Sequence, residues 1–222
     1  MDISLFFEQC GSGEPLILLH GNGDSHAFFA GQIPYLSRRF TVYALDTRGH
    51  GQSPKGKKPF TLSQFADDLN DFLDEQGIDR AHLLGASDGA NIAMLFALRY
   101  PNRVRSLVLN SGNLDPDGLV PGFLQEIRSI YETVKTPRTL ETGLLELMLF
   151  EPHIDPKELN GINVPTLVIA GDDDLILPEH THLIADSIPN AKLVFLRGTH
   201  SVAQEQPDDF NEALEDFYAS LS

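Results

Sequence analysis

The chain has 222 residues, 32 acidic against 16 basic, for a formal charge of −16; that length fits one domain, or one domain with an insertion, and buries a substantial core. The acidic balance argues against nucleic acid and anionic membrane surfaces as partners. The single cysteine, Cys10, excludes an intrachain disulfide, and with no basic-then-apolar leader and no apolar run near ~20 residues the expectation is a cytoplasmic protein with no membrane partner.

A strand is predicted over 3–9 and a second over 15–20, running into Leu18-Leu19-His20-Gly21-Asn22-Gly23. A helix is predicted over 25–36, then a strand over 41–46 that ends in Asp46-Thr47-Arg48-Gly49-His50-Gly51-Gln52-Ser53. The helix over 62–76 has the clearest signals. Thr61-Leu62-Ser63-Gln64 has capping-box form, Leu62, Phe65, Ala66, Leu69, Phe72 and Leu73 keep an apolar stripe, and Gly77 is a stop. A strand over 81–86 runs through Gly85-Ala86-Ser87-Asp88-Gly89 into a helix over 88–100. A strand over 105–110 follows, and then residues 113–163 interrupt the alternation. Within them Phe123, Ile127, Ile130 and Tyr131 keep helical spacing, and 144–150 is apolar almost all round. The alternation resumes with strands over 166–170 and 192–197 and helices over 179–187 and 208–220. Strand-then-helix order predicts a mostly parallel sheet of about seven strands with helices on both faces.

The chemistry starts at Ser87. It stands in G-x-S-x-G between a strand and a helix, the context that exposes a serine hydroxyl at a sheet edge. A serine needs a base to become a useful nucleophile, and the base needs an orienting acid. His200 follows the strand over 192–197 and the turn Arg197-Gly198-Thr199. Asp172, Asp173 and Asp174 follow the strand over 166–170. All three groups fall at strand C-terminal ends, in the order serine, acid, histidine. The run of aspartates is also the form of a cation site, but it lacks the ligand spacing and glycine of an EF-hand loop. His180 and His182 sit two apart, where a helical metal pair prefers four, so both are read as helix-surface residues and no metal is expected.

Four blocks make the chain resemble the α/β-hydrolase fold superfamily from about residue 3 to its end: His20-Gly21-Asn22-Gly23, the Asp46–Ser53 turn, the Ser87 elbow, and Gly171-x-x-Asp174-x-x-x-Pro178 with Gly198-Thr199-His200. The resemblance implies that Asp174 is the acid of a Ser87–His200–Asp174 triad, with Asp172 and Asp173 as turn residues. It implies an oxyanion hole from the backbone N–H groups of Asn22 and Asp88, and a bracing role for His20. It implies a core of 1–112 and 164–222, a small helical cap over 113–163, and loss of the family's first strand. The implied activity is cofactor-free hydrolysis of a small ester or related acyl bond in a small-molecule substrate. Carbon–carbon hydrolases, thioesterases, cofactor-free peroxidases and hydrolase-like ligand receptors share the same triad and remain alternatives. The Asp88 side chain, next to the nucleophile, is either a helix N-terminal acid or a selector of substrate charge. Nothing in the sequence addresses the oligomeric state.

Overall fold

A computed structural model describes residues 2–221. Its strands are β1 (Phe7–Gly11), β2 (Glu14–Leu19), β3 (Phe40–Leu45), β4 (Ala81–Ala86), β5 (Val104–Asn110), β6 (Thr166–Gly171) and β7 (Lys192–Leu196). They form one sheet in the order β1-β3-β2-β4-β5-β6-β7. β1 pairs antiparallel with β3, and every other neighbour pair is parallel. The helices are α1 (Ile33–Leu36), α2 (Leu62–Glu75), α3 (Asp88–Arg99), α4 (Pro121–Val134), α5 (Leu140–Phe150), α6 (Pro178–Ser187), α7 (Val202–Glu205) and α8 (Pro207–Ala219).

Parallel strands covered on both faces are apolar throughout, and alternate residues feed opposite cores. Ile17, Leu19, Leu83 and Leu107 pack with Phe65, Phe72 and Phe96 on one face. Leu16, Leu18, Leu84 and Val108 pack with Phe29, Phe210 and Leu214 on the other. Truncating a buried aromatic such as Phe72 to alanine costs about 3–5 kcal/mol in settings of this kind. The parallel register brings the C-terminal ends of β2, β4, β5 and β6 to one edge, and the loops with the motif residues leave from that edge.

Three local expectations are corrected. The first strand runs over Phe7–Gly11, where it pairs with β3, and not over 3–9; Ile3 and Leu5 pack into the core ahead of it without joining the sheet. Residues 25–36 do not form one helix: a 3-10 turn spans His26–Phe29 and α1 begins at Ile33. Pro34 lacks an N–H and is compatible only with a first helical turn, so a new helix starts there. At α2 only half of the capping box forms. The Thr61 side chain accepts from the Gln64 N–H at 3.1 Å, but the Gln64 amide turns forward to Asp68. The reciprocal box lies at α5, between Thr139 and Thr142.

Between β5 and β6, α4 and α5 lie side by side around a small core of Ile127, Leu145 and Leu149. Phe123 and Met148 pack at its margin, half-buried.

Candidate active site

Ser87 links β4 to α3 with φ +53° and ψ −121°, a conformation a serine adopts only under constraint. The constraint is close packing. A β carbon at Gly89 would lie 2.0 Å from the Leu19 carbonyl oxygen, and one at Gly85 would lie 2.2 Å from the Gly89 carbonyl oxygen. The flanking glycines let α3 sit against the sheet and push Ser87 out of it. The Ser87 N–H is tied to the Asn110 carbonyl of β5 at 2.8 Å.

His200 lies with Nε2 3.0 Å from Ser87 Oγ and Nδ1 2.6 Å from Asp174 Oδ1. A carboxylate oxygen only accepts, so Nδ1 carries the proton and Nε2 accepts from the serine hydroxyl. Asp174 Oδ1 also takes the Ile176 N–H at 3.1 Å, and Oδ2 takes the Ser111 hydroxyl at 2.6 Å. Burial acts to raise the Asp174 pKa. The His200 contact, joined by Ser111 and Ile176, outweighs burial and holds it below the ordinary carboxylate value.

The neighbouring aspartates are exposed and do other work. Asp172 accepts the Gly198 N–H at 2.9 Å, and the Asp173 N–H donates to the Gly198 carbonyl at 3.0 Å. Both brace the loop that carries His200. Glu205 braces the same loop, taking the Thr199 N–H at 2.8 Å and the Thr199 hydroxyl at 2.6 Å.

His20 is buried and faces away from this arrangement. Its Nδ1 donates to the Gly21 carbonyl at 2.7 Å, and its Nε2 accepts the Thr47 N–H at 3.0 Å. Burial pushes its pKa down to about 4, so the ring stays neutral and pins two loops together. Asp46 likewise closes its own turn, accepting the His26 and Gln52 N–H groups at 2.7 Å each. Arg48 is fully buried in an ion pair with Asp68 at 2.6 Å.

His180 is not the surface residue expected from its position. It is half-buried, and its Nε2 accepts the Leu114 N–H at 2.8 Å. Its neighbour His182 is exposed.

Ser87, His200, Asn22 and Asp88 line a cavity of about 170 Å³. Its apolar wall includes Phe28 and Leu175, and from the segment between β5 and β6 Leu119, with Phe123 and Met148 from α4 and α5. Asp88 heads α3, so its N–H belongs to the first helical turn, which has no intrahelical acceptor. Its carboxylate is buried and accepts the Asn22 side-chain amide at 2.9 Å. Burial raises the Asp88 pKa against the opposing pull of Asn22 and His200. Glu151, just beyond α5, also lines the cavity and accepts the Leu62 N–H at 2.7 Å. Burial raises its pKa too, and the Asp88 charge adds to the effect. Asp24 is the third acid in the wall, and no lysine or arginine lines the cavity among the described residues.

Sequence reasoning missed Ser111, Glu151 and the side-chain role of Asn22. Each acts on a partner 63 to 122 residues away. The dipeptide Ser111-Gly112 at a strand end is the one local signal that marks a tight turn beside the site.

A family profile for the alpha/beta hydrolase fold matches residues 14–141. The chain belongs to the α/β-hydrolase fold family. This hydrolase is 30% identical to a protein from Azorhizobium caulinodans named as a carbamate hydrolase, RutD, over 99% of this chain and 97% of that one. It is 29% identical to a 2-hydroxy-6-oxononadienedioate/2-hydroxy-6-oxononatrienedioate hydrolase from Paraburkholderia phymatum, over 97% and 91% of the two chains. A solved structure of a thermophilic esterase from Thermogutta terrifontis superposes with a TM-score of 0.83 at 25% identity, covering 99% of this hydrolase and 94% of the esterase. The relatives share hydrolysis and differ in the bond their names specify. No helix among the described residues of this hydrolase is long and apolar enough to cross a membrane.

Proposed function

We propose that the protein is a serine hydrolase that cleaves a small ester or related acyl bond through an acyl-Ser87 intermediate. The observation that carries this reading is the unbroken contact from Ser87 Oγ through His200 to Asp174. Ser87 Oγ attacks the carbonyl carbon while His200 Nε2 takes its proton. The N–H groups of Asn22 and Asp88 hold the oxyanion. Collapse of the tetrahedral intermediate breaks the bond to the leaving group, which takes the proton from His200. Water, deprotonated by His200, then attacks the acyl carbon and releases the acid and free Ser87. Asp174 holds the imidazole tautomer and steadies the imidazolium. Water is the only co-reactant that the balance needs.

In this reading residues 113–163 are a cap over a core of 1–112 and 164–222, and Phe123 and Met148 shape the acyl pocket from above. A cavity of about 170 Å³ is below the ~300 Å³ common for ligand sites and favours a small acyl group. Asp88 is the candidate selector of substrate charge. With Glu151 and Asp24 in the same wall and no lysine or arginine among the described lining residues, the pocket favours cationic or neutral substrates and opposes a dianionic dioate. A carbamate is the second reading. Its carbonyl suits the same nucleophile, and relatives that match the chain nearly end to end carry that name. The single cysteine fits a reducing, cytoplasmic setting.

The test is labelling with a fluorophosphonate, located by peptide mass, together with turnover of p-nitrophenyl esters of graded chain length and of a matched carbamate. The expected result is a single adduct on Ser87 and a rate that falls as the acyl chain lengthens. An adduct elsewhere, or no turnover of any ester or carbamate, overturns the reading.

A further inference from the structure

We infer that Ser111 is a positioning residue for the reaction, holding Asp174 in the orientation that serves His200. The inference rests on the triad reading above and adds a residue to it. β5 lies between β4, whose end carries Ser87, and β6, whose end leads to Asp174. Its last residue and the next one touch both. The Asn110 carbonyl accepts the Ser87 N–H at 2.8 Å. The Ser111 N–H donates to the Ile169 carbonyl of β6 at 2.9 Å, and the Ser111 hydroxyl donates to Asp174 Oδ2 at 2.6 Å. One dipeptide thus fixes the backbone of the nucleophile and the side chain of the acid.

The direction of the hydroxyl is set from behind. The Asn110 side-chain amide donates to Ser111 Oγ at 2.8 Å, so the oxygen is already an acceptor there and its own hydrogen is free for Asp174. The two Asp174 oxygens then divide their work. Oδ1 serves His200 and the Ile176 N–H, and Oδ2 serves Ser111. Loss of the hydroxyl leaves Oδ2, in a side chain only 4% exposed, without that donor, and frees the carboxylate to rotate.

The backbone adds an independent argument. Ser111 is buried at φ +54°, in the left-handed region where glycine is at ease and serine is not. Glycine would satisfy the turn better, so the backbone gives serine no advantage here. What serine alone supplies is the hydroxyl, and its partner is the acid of the triad.

That conformation makes Ser111→Gly the decisive variant, because it removes the hydroxyl while relaxing the backbone. Turnover of a small neutral ester should fall roughly tenfold in kcat, with KM changed less than about twofold. The melting temperature should hold or rise. Ser111→Ala, which loses the hydroxyl and keeps the strained turn, should match the glycine variant in kcat and melt below it. A glycine variant with parental kcat overturns the inference, as does a loss confined to melting temperature. Ser87→Ala measured alongside separates the two claims. If it is inactive while Ser111→Gly is fully active, only the role of Ser111 fails. If Ser87→Ala retains turnover, the triad reading fails and this inference with it.

Discussion

The Asn22 side-chain amide donates to the Asp88 carboxylate at 2.9 Å and to the Leu144 carbonyl of α5 at 3.1 Å. The two residues proposed to supply the oxyanion donors are therefore tied to each other through side chains, and the tie reaches α5. It also constrains any role for Asp88 toward substrate. One carboxylate oxygen is engaged, and burial has raised the pKa. A cationic group in the cavity would favour the charged form.

Asp88→Asn is expected to narrow the preference for cationic over matched anionic esters. A charge at that position in a partly wet pocket is worth ~1 kcal/mol, or roughly fivefold to tenfold in kcat/KM. Neutral esters should change little, because the oxyanion donor is main-chain. In the parent protein the preference should grow as pH rises and Asp88 ionises. Matched cationic, neutral and anionic esters on both proteins measure this, and an unchanged ratio would leave Asp88 as a structural residue.

Ser87→Ala should lower ester turnover by a factor on the order of 10³ or more, leaving only what binding and the oxyanion donors provide. The fold should persist, since the elbow is held by the packing of Gly85 and Gly89 and by the bond from the Ser87 N–H to Asn110. Steady-state turnover and thermal melting check both halves of this expectation.

Asp174→Asn should cost on the order of 10³-fold in kcat, while Asp172→Asn and Asp173→Asn stay within about tenfold. Only Asp174 contacts His200. An asparagine at 172 keeps an oxygen for the Gly198 N–H, so the loop should hold. Equal losses in all three variants would instead mark the aspartate run as a structural unit.

Stability should fall as the solution is acidified from pH 7 to 5. His20 has a folded pKa depressed to about 4 against an ordinary 6.5, so the unfolded chain binds a proton that the folded chain refuses. Its contribution is present above the unfolded pKa and is lost as pH falls toward the folded one. Between pH 7 and 5 the loss from this residue is about 2 kcal/mol. Burial depresses His50, His82 and His180 in the same direction. Asp88 and Glu151, with raised pKa values, favour the folded state on acidification and offset part of this at lower pH. Urea unfolding at the two pH values, with the His20 ring followed by NMR, measures it; a His20 that protonates near 6.5 would refute the assignment.

The five inner strands β2 to β6 are legible in the sequence because strands covered on both faces are apolar runs, and β7 follows the same alternation; β1, a half-exposed edge strand of mixed residues, is misplaced by four residues at its start. Ser87, His200 and the Asp172–Asp174 run are legible as candidates because they follow strand C-terminal ends, while the choice of Asp174 among the three aspartates comes from the family resemblance alone. The 25–36 segment misleads because its apolar spacing fits a helix while Pro34 breaks it. His180 misleads because periodicity along α6 carries no information about the loop at Leu114 that closes over it. Ser111, Glu151 and the Asn22 amide stay hidden for the same reason. Their partners are set by sheet order and by where α5 lies, and neither is a local property of the chain.

The three proposed reacting groups follow β4, β6 and β7 of one sheet, whose spacing is set by main-chain hydrogen bonds through β5, whereas Phe123, Met148 and Glu151 stand on or just beyond two helices gathered around three buried side chains. Substitutions at Phe123 and Met148 are expected to leave the spacing between Ser87, His200 and Asp174 unchanged, whereas Glu151 also holds the Leu62 N–H that opens α2. The molecule can therefore change its diet without relearning its chemistry, and a library randomised at 123 and 148 would explore new substrates on an intact reaction centre.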